Sequence, residues 1–383
     1  MIVEHRIADR PTRVLVTGAE GFIGRNTVVR LRESPDWRVD TFCKHDRPSE
    51  LPELIAQADA VIHLAGANRP ADDAEFARVN TELTGVICEL IREELTTKQR
   101  SVPLVFASSV QAEQDNPYGR SKLAAENVIE ALAAETQNPC VILRLPGVFG
   151  KWCRPHYNSV VATFCHQLAR HLPIEIHDAN ARIRLVYIDD VVSMMIDAIS
   201  RPSAGCVRVS VDPEYQISLG ELAAQIQAFA DSRTTLLSER VGVGLTRALY
   251  ATYVSYLPPE EFAYSIPIHS DSRGVFVEML KTRDSGQFSY FTAHPGVTRG
   301  GHYHHSKTEK FLVIHGEALF RFRDLVTDEL VERRASGDRP EVVETIPGWV
   351  HDVTNVGTDE MVVMLWANEV FDPMHPDMIP SKV

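Results

Sequence analysis

The stretch Val14-Leu15-Val16-Thr17-Gly18-Ala19-Glu20-Gly21-Phe22-Ile23-Gly24 joins an apolar, β-branched run to three glycines spaced three residues apart. Glycines with this spacing allow a tight turn and let backbone N–H groups approach a pyrophosphate closely, while the N-terminus of a following helix supplies positive potential. Over residues 25–32 apolar residues recur every three or four positions, which predicts that helix. The stretch therefore predicts a strand, a nucleotide-binding turn and a helix in succession.

The same alternation continues to about residue 205. Further runs that are nearly continuous in apolar character predict strands at 39–43, 60–64, 104–107 and 141–144, with helical patterns between them. Strands of this character are typical of a parallel sheet that is covered by helices on both faces. We therefore predict an α/β domain with a doubly wound, Rossmann-type parallel sheet.

After about residue 265 the pattern changes. Short alternating runs are separated by Gly, Pro, Asp and Asn, at spacings typical of an all-β barrel or sandwich. Between the two patterns, a helical run over residues 249–264 is interrupted by Pro258-Pro259. We place the domain boundary near residue 262, which gives domains at 1–262 and 263–383, and a chain of 383 residues fits two domains.

Composition restricts the partners and the compartment. The 39 Lys and Arg residues against 52 Asp and Glu give a net charge of −13, which argues against a general affinity for nucleic acid or anionic membranes. No stretch approaches the roughly 20 apolar residues that a spanning helix needs, and the charged amino terminus does not resemble a signal peptide. Six cysteines without a Cys-x-x-Cys pair suit isolated thiols in a reducing compartment. We expect a cytoplasmic protein that binds neither nucleic acid nor membrane.

The end of the second predicted strand bears on the choice of cofactor. An NAD-binding domain usually carries an acid there, because a carboxylate accepts hydrogen bonds from the ribose 2′-OH. In this chain Cys43 takes that place, with Lys44 directly after it and Arg47 nearby. Positive charge at this point favours a 2′-phosphate, so we predict NADPH over NADH. The alternative is that Lys44 and Arg47 are ordinary solvated surface charges.

A serine, a tyrosine and a lysine then follow, and these are side chains that suit proton exchange with a carbonyl substrate. Tyr118 and Lys122 are spaced i and i+4 at the start of a helical pattern, so they share one helix face. A lysine ammonium there lowers the pKa of the phenol and holds the nicotinamide ribose, so that Tyr118 can exchange a proton with a substrate oxygen. Ser109 ends the preceding strand, where its hydroxyl can bond to the reacting carbonyl.

Together with these residues, Asn80 and three further segments make residues 13 to about 250 resemble an extended short-chain dehydrogenase/reductase acting on nucleotide sugars. The segments are VIHLAG at 61–66, LPGVFG at 145–150 and VYIDDV at 186–191. The resemblance implies that Ser109 polarises the carbonyl, Tyr118 is the acid/base, and Lys122 positions the ribose and tunes Tyr118. Only eight residues separate Ser109 from Tyr118, where the family usually has a longer loop, so Ser108 stays open as an alternative to Ser109.

The implied binding residues fall into two sets. The cofactor contacts are Gly18, Gly21, Phe22, Ile23, Gly24, Lys44, Arg47, Leu64, Ala65, Gly66, Tyr118 and Lys122. The substrate contacts are Ser108, Asn158 and Arg184. The net charge of −13 repels both an anionic cofactor and an anionic substrate. Backbone N–H groups and a few cations must therefore hold these two ligands locally.

A second cluster lies in the β-rich half, where the histidines concentrate. His302 and His304 are two residues apart and share a strand face, Glu309 opens the next strand, and a returning hairpin can bring His351 to the same point. Three imidazoles and a carboxylate suit a divalent transition metal with an open position for a ligand. The pattern resembles both motifs of the cupin superfamily. Zn²⁺ is the preferred ion, and Mn²⁺, Fe²⁺ and Ni²⁺ are also suitable.

His302 has a second possible role. The stretch TRGGHY at 298–303 resembles one in the cupin-fold epimerases acting on deoxy-4-ketohexose nucleotides, in which this histidine is the base beside the ketone and no metal is needed. Because His304, Glu309 and His351 are all present as further ligands, we favour the interpretation that His302 binds a metal. A metal can polarise the 4-keto oxygen and acidify the C3 proton, and the sequence does not then identify the base.

The two modules in this order, with residues 298–324 and 366–373, resemble the CapF/WbjC-type family of bifunctional capsular-polysaccharide enzymes over nearly the whole chain after residue 12. The resemblance implies C3 epimerisation of a UDP-2-acetamido-2,6-dideoxy-4-hexulose by the cupin. NADPH-dependent reduction at C4 then gives UDP-N-acetyl-L-talosamine, on the route to UDP-N-acetyl-L-fucosamine for capsule or O-antigen. A homodimer or a dimer of dimers is expected, because cupins commonly pair through their sheets.

Two other functions remain open at this point. The cupin could be a non-catalytic sugar-binding or dimerising module on a simple NAD(P)-dependent 4-ketoreductase. The chain could also be a dehydratase or a 4-epimerase, which is disfavoured because Ser109 is not followed by the Asp-Glu pair that dehydratases of this family carry.

Overall fold

The contacts within the chain divide it into two compact units. The first comprises the residues up to Ala224 together with Ala248–Leu257, and the second comprises Gln225–Arg247 together with Pro258–Val383. The second unit thus takes in residues 225–247, which a boundary near residue 262 leaves with the first domain; that boundary stays a prediction. The structure is a computed structural model, and it describes residues 10–68, 72, 74–305, 307–374 and 376–383.

The first unit alternates strands with helices. Its strands are β1 (Thr12–Thr17), β2 (Trp37–Phe42), β3 (Ala60–His63), β4 (Leu104–Ser109), β5 (Cys140–Leu145), β6 (Gly147–Phe149), β7 (Arg182–Tyr187), β8 (Cys206–Val209) and β9 (Glu214–Ser218). The helices of the chain are α1 (Phe22–Arg32), α2 (Leu51–Gln57), α3 (Ala74–Phe76), α4 (Leu83–Lys98), α5 (Pro117–Thr136), α6 (Val160–Leu168), α7 (Ile188–Ser200), α8 (Leu219–Thr235) and α9 (Gly244–Val254). A π-helical turn joins α3 to α4, and short 3₁₀ segments occupy Pro48–Glu50, Val110–Glu113 and Pro259–Glu261. The helical run predicted over 249–264 therefore ends early, at Val254.

Six of these strands form a parallel sheet in the order β2-β1-β3-β4-β5-β8. The strand order reverses at β1, because β2 lies on one side of it and β3 on the other. Successive side chains of β1 enter two different cores: Leu15 packs in one, and Val14 and Val16 pack in the other. Burial on both faces confirms the doubly wound sheet, and a crevice at such a reversal is where open α/β sheets bind their ligands.

A smaller sheet, β6-β7-β9, completes the part of the first unit that matters for the site. β6 pairs with β7 in parallel, and β9 runs antiparallel to β7. The chain leaves β6 through a loop at 150–159 before α6 begins.

The second unit is built mainly of antiparallel strands, as predicted. They are β10 (Leu237–Ser238), β11 (His269–Asp271), β12 (Gly274–Thr282), β13 (Gln287–Ala293), β14 (Thr298–Tyr303), β15 (Glu309–His315), β16 (Glu317–Asp324), β17 (Leu330–Ser336), β18 (Val342–Glu344), β19 (Trp349–Asn355), β20 (Met361–Ala367) and β21 (Ile379–Pro380). One sheet has the order β10-β12-β13-β20-β15-β18, with β11 on β12, and the other has the order β17-β16-β19-β14-β21. Side chains that include Phe291, Phe311 and Phe320 form a buried core from strands of both sheets. Two sheets around one core form the predicted jelly-roll barrel.

Among the described residues, no helix combines the length and the apolar character that crossing a membrane requires.

Candidate functional site

The glycine-rich turn between β1 and α1 has no room for a side chain at Gly18 or Gly24. Gly18 has a φ of +68°, and a Cβ there would lie 2.7 Å from the Ala65 nitrogen. A Cβ on Gly24 would lie 2.2 Å from the Gly18 carbonyl oxygen. α1 begins directly after Gly21, so the N–H groups of its first turn have no partners within the helix. The turn therefore offers backbone donors and positive helix potential at one point, as pyrophosphate binding requires.

This turn forms one wall of a cavity of about 810 Å³ in the first unit. The cavity brings together most of the predicted contacts: Gly18, Gly21, Phe22, Ile23, Gly24, Leu64, Gly66, Ser108, Ser109, Tyr118, Lys122 and Asn158. Ala65 lies against Gly18. These residues are far apart in sequence and meet because they follow the carboxyl ends of neighbouring parallel strands.

The start of α5 positions Tyr118. Asn116 caps the helix by accepting a hydrogen bond from the Gly119 N–H at 2.7 Å, and a proline occupies the first helical position. Gly119 lies so close to the preceding 3₁₀ segment that a Cβ there would be 2.2 Å from the Gln111 carbonyl oxygen. These contacts hold Tyr118 within hydrogen-bonding reach of Ser109, the last residue of β4.

Burial dominates the electrostatics of Tyr118 and Lys122. It raises the pKa of Tyr118, and the hydrogen bond with Ser109 opposes that rise. The sequence predicts a lowering of this pKa by Lys122; burial is the largest effect in the structure and outweighs it, and the tuning of Tyr118 by Lys122 stays a prediction. Burial also lowers the pKa of Lys122 to about 8, while Glu126 acts in the opposite direction. The Lys122 Nζ donates to the Ala107 carbonyl oxygen at 2.9 Å, which fixes it beneath the cavity.

Ser108 and Ser109 both border the cavity, but their hydroxyls are held differently, because successive strand residues point to opposite faces. The Ser108 hydroxyl donates to the buried carboxylate of Glu126, which also pairs with Arg144 at 2.6 Å. The Ser109 hydroxyl accepts the Gln111 N–H at 3.1 Å and lies close enough to Tyr118 to lower the pKa of its phenol. Of the two serines, Ser109 therefore has the geometry to meet a carbonyl beside Tyr118.

Three of the cations that the sequence singles out, Lys44, Arg47 and Arg184, are not among the described residues that line the cavity. Lys44 and Arg47 are exposed in the turn after β2. Arg184 on β7 is held by Glu214, with its Nε 2.5 Å from a carboxylate oxygen. As cofactor and substrate contacts, these three residues stay predictions.

Sequence reasoning missed two arginines that do line the cavity, Arg25 and Arg154. Arg25 directly follows the third glycine of the turn, and Arg154 lies a few residues beyond the LPGVFG motif at 145–150. Their nearness to recognised motifs is a signal that could have identified them.

The second unit brings His302, His304, Glu309 and His351 together. One potential ligand atom from each residue lies within 4.8 Å of those of the others. His302 on β14 is paired in register with His351 on β19, and Glu309 opens β15. Strand pairing therefore places four side chains that are distant in sequence at one point of the barrel, as predicted.

The donor set fits a divalent transition metal. His351 is 5% exposed and neither of its ring nitrogens makes a well-formed hydrogen bond with the described residues, although its Nε2 lies 3.5 Å from a carboxylate oxygen of Glu309. Buried nitrogens without a partner are costly unless a ligand takes one of them. The Nδ1 of His304 bonds to the Asp377 carbonyl oxygen, which can only accept, so Nδ1 carries the hydrogen. The Nε2 of His304 lies 3.3 Å from a carboxylate oxygen of Glu309, so the ring presents this nitrogen to the cluster, the orientation that a metal-ligating histidine adopts.

We call His302, His304, Glu309 and His351 the His302 quartet, and the charges of these four residues also suit a metal. Burial alone would raise the pKa of Glu309, but His304, His351 and the Lys307 ammonium, 2.9 Å away, hold it well below its ordinary value. Burial and the neighbouring imidazoles lower the pKa of His302 to about 4. At neutral pH the cluster thus holds a carboxylate and a neutral His302 imidazole, which are the forms that coordinate metals.

The architecture defines the class of protein: an extended short-chain dehydrogenase/reductase fold followed by a cupin barrel. Residues 14–211 match the NAD dependent epimerase/dehydratase family, and residues 269–379 match the Polysaccharide biosynthesis C-terminal domain. The chain is 56% identical to the UDP-2-acetamido-2,6-beta-L-arabino-hexul-4-ose reductase of Pseudomonas aeruginosa, over 97% of this chain and 99% of that protein.

Solved structures give the same result. The capsular polysaccharide assembling protein CapF from Staphylococcus aureus is 38% identical, with a TM-score of 0.87 over 97% of this chain and 100% of that one. CapF with the inhibitor 3-isopropenyl-tropolone is 32% identical, with a TM-score of 0.83 over the same shares of the two chains. The chain therefore belongs to the NAD dependent epimerase/dehydratase family and, within it, to the CapF/WbjC-type proteins that its sequence predicts.

Proposed function

We propose that the protein is a bifunctional UDP-sugar enzyme. The cupin barrel epimerises C3 of a UDP-2-acetamido-2,6-dideoxy-4-hexulose, and the first unit then reduces C4 with NADPH to give UDP-N-acetyl-L-talosamine. The product lies on the route to UDP-N-acetyl-L-fucosamine for capsule or O-antigen. The observation that carries the proposal is that one chain holds two complete constellations, Ser109 with Tyr118 and Lys122, and the His302 quartet. The name of the Pseudomonas reductase, a 4-ulose reductase, supports the reductive half.

In the reductase cavity the protein holds the ketone and supplies a proton. Bound NADPH supplies hydride for C4 of the sugar. The Ser109 hydroxyl donates to the C4 carbonyl oxygen, and Tyr118 transfers its phenolic proton to that oxygen as the alcohol forms. The ammonium of Lys122, fixed on the Ala107 carbonyl, holds the ribose and stabilises the tyrosinate that remains.

The proposed preference for NADPH rests on the end of β2. Cys43 stands where an acid would bind a ribose 2′-OH, and its backbone N–H donates to Asp46 at 2.7 Å. The carboxylate of Asp46 is thereby engaged with the backbone, while Lys44 and Arg47 are exposed and available to a 2′-phosphate. Arg25, on the cavity wall, adds a further cation near the glycine turn.

In the barrel, His302, His304, Glu309 and His351 would hold the metal, with Zn²⁺ the preferred ion. A metal held there would polarise the 4-keto oxygen and so acidify the hydrogen at C3. The protein's own contribution is to orient the ligands: the Asp377 carbonyl fixes the His304 ring, and Lys307 holds the Glu309 carboxylate. A 4-ketone first acidifies the neighbouring C–H and is then consumed by reduction, so the two steps follow in a definite order.

The experiment that tests the proposal is incubation with the 4-keto UDP-sugar in deuterated water, with and without NADPH, followed by NMR. We expect deuterium at C3 without NADPH, and a C4 alcohol with deuterium at C3 when NADPH is present. Reduction at C4 with no deuterium at C3 would contradict the epimerase half and leave a simple ketoreductase with a non-catalytic cupin. A tightly held cofactor with no net NADPH consumption would contradict the reductase half.

A further inference from the structure

We propose that Arg154 binds the diphosphate of the sugar nucleotide in the reductase cavity and so sets its preference for nucleotide-linked sugars. This inference rests on the proposed function, since it identifies a contact for that substrate. It gives to Arg154 the contact with an anionic substrate that the sequence expects of Arg184.

The positive charges in the cavity are few. Among the described residues that line it, the cations are Arg25, Lys122 and Arg154, and Glu20 is an anion. Arg25 belongs to the first turn of α1, beside the glycine turn that serves the cofactor. Lys122 is buried, and its ammonium donates to the Ala107 carbonyl oxygen. Arg154 is therefore the cation that remains for a second dianionic ligand.

The arginine expected from the sequence is occupied elsewhere. Both the Nε and a terminal nitrogen of Arg184 bond to the carboxylate of Glu214, at 2.5 and 2.7 Å. This two-pronged pair lies across β7 and β9, and Arg184 is not among the described residues that line the cavity. A phosphate would have to displace Glu214 to bind there, which costs a charge-assisted contact.

Arg154, in contrast, has no carboxylate partner among the described residues. It is exposed, and its guanidinium carbon lies 5.3 Å from the ring centroid of Tyr157, another residue of the cavity wall. Stacking on an aromatic ring restrains the guanidinium plane while leaving its N–H donors free. A planar fork of donors matches the oxygens of a diphosphate, and little side-chain entropy is lost on binding.

The loop that carries Arg154 is held in place at several points. Asn26 donates to the Lys151 carbonyl oxygen at 3.2 Å, and the hydroxyl of Tyr256 donates to the Cys153 carbonyl oxygen. The His156 N–H donates to the hydroxyl of a threonine on α6 at 3.0 Å.

Backbone strain in the same loop agrees with a functional role. Trp152 and His156 have φ values of +68° and +56°, a region that residues other than glycine rarely adopt. Such strain persists only where surrounding contacts impose it, and it concentrates in ligand-binding segments. The loop is therefore pre-organised around Arg154.

The test is calorimetric binding of UDP and of NADPH to the full chain, wild type and Arg154→Gln. We expect the Kd for UDP to rise roughly 10- to 100-fold in the variant, as for loss of hydrogen bonds to a charged group, and the Kd for NADPH to stay unchanged. Arg154→Lys, which keeps the charge and loses the fork, should fall between the two. Arg182→Gln is the matched control, because Arg182 is exposed and is not among the described residues that line the cavity, and it should bind UDP as the wild type does.

Trp152 makes the test specific to this cavity. It lines the same wall, so the part of the UDP-dependent fluorescence change that disappears in Trp152→Phe reports binding at this site. That part should be lost at low UDP in Arg154→Gln and recovered at higher UDP. Uridine without phosphates should bind wild type and Arg154→Gln equally.

The failures can be told apart. If wild type binds UDP and Arg154→Gln binds it equally well, the inference is overturned and the proposed function stands. If Arg154→Gln weakens NADPH instead of UDP, Arg154 belongs to the cofactor site and the inference is likewise wrong. If wild type binds no UDP, the proposed substrate class fails together with the inference.

Discussion

The two candidate sites of the molecule bury opposite charges. The reductase cavity has a buried cation, Lys122, which rests on the Ala107 carbonyl oxygen. The barrel has a buried anion, Glu309. Its carboxylate lies within 3.5 Å of the Lys307 ammonium and of the imidazoles of His304 and His351. The buried charge of each unit suits the chemistry proposed for it. A cation stabilises the tyrosinate left by proton donation, and an anion completes a metal-ligand set.

The sites also differ in how the chain assembles them. The cavity is built from segments that follow successive parallel strands, so each contact lies next to a recognisable local motif. The barrel quartet depends on strand register, such as the pairing of His302 with His351. A substitution in one site should therefore change the reaction of that site and leave the reaction of the other site unchanged.

Tyr118→Phe should have the largest effect. It removes the proton donor and keeps the ring, so the rate of NADPH oxidation with the 4-keto sugar should fall by roughly 10²- to 10⁴-fold, the usual contribution of a general acid. The measurement is a spectrophotometric assay at saturating NADPH. Tyr250→Phe, outside the cavity lining, is the control; a Tyr118→Phe variant as active as this control would remove Tyr118 from the chemistry.

His351→Gln should come next, and it should affect the other unit. It removes a proposed ligand, so metal per chain, measured by elemental analysis of protein purified without added metal, should fall from about one towards zero. Exchange at C3 should fall with it, while binding of NADPH should not change. Equal metal content at about one per chain in both proteins would remove His351 from the ligand set, and the absence of stoichiometric metal from the wild type would instead favour His302 as a metal-free base.

Asp377→Ala should produce a smaller loss in the same direction. The Asp377 carboxylate accepts the His305 and Lys307 N–H groups, each at 2.8 Å, and thereby holds the segment whose carbonyl orients His304. Loss of an outer-shell partner of this kind costs roughly 10- to 100-fold in metal affinity. Chelator competition would measure it, and an unchanged affinity would show that the carboxylate does not support the ligand set.

The pH dependence of reduction should show the smallest effect. Because burial lowers the pKa of Lys122 to about 8, its ammonium is present below that pH and is lost above it. The kcat/KM for reduction should therefore decline as the pH rises past about 8. Lys122→Arg, with a group that stays charged, should move the decline to higher pH, whereas the same decline in this variant would assign it to another residue. Exchange at C3 should not share this limb.

Local patterns predicted most of the fold. The apolar run that ends in Gly18, the strand ending at Ser109 and the alternating runs after residue 265 all lie where the sequence places them. The quartet could also be anticipated, since i, i+2 spacing on a strand puts His302 and His304 on one face.

The features of the site that the sequence did not predict depend on contacts between residues that are far apart in the sequence. The ion pair of Arg184 with Glu214 arises from the register of β7 against β9. The difference between Ser108 and Ser109 arises from Glu126 on α5. The direction of the pKa shift of Tyr118 follows from burial, which a helical spacing of tyrosine and lysine does not show.

The central claim is that two separate sites perform two separate reactions. It is tested most directly by incubating Tyr118→Phe with the 4-keto UDP-sugar in deuterated water and following C3 by NMR. The account predicts deuterium at C3 at the wild-type rate while NADPH is not consumed. Loss of C3 exchange in this variant, with its metal content unchanged, would contradict the account, because the reductase tyrosine would then take part in both reactions.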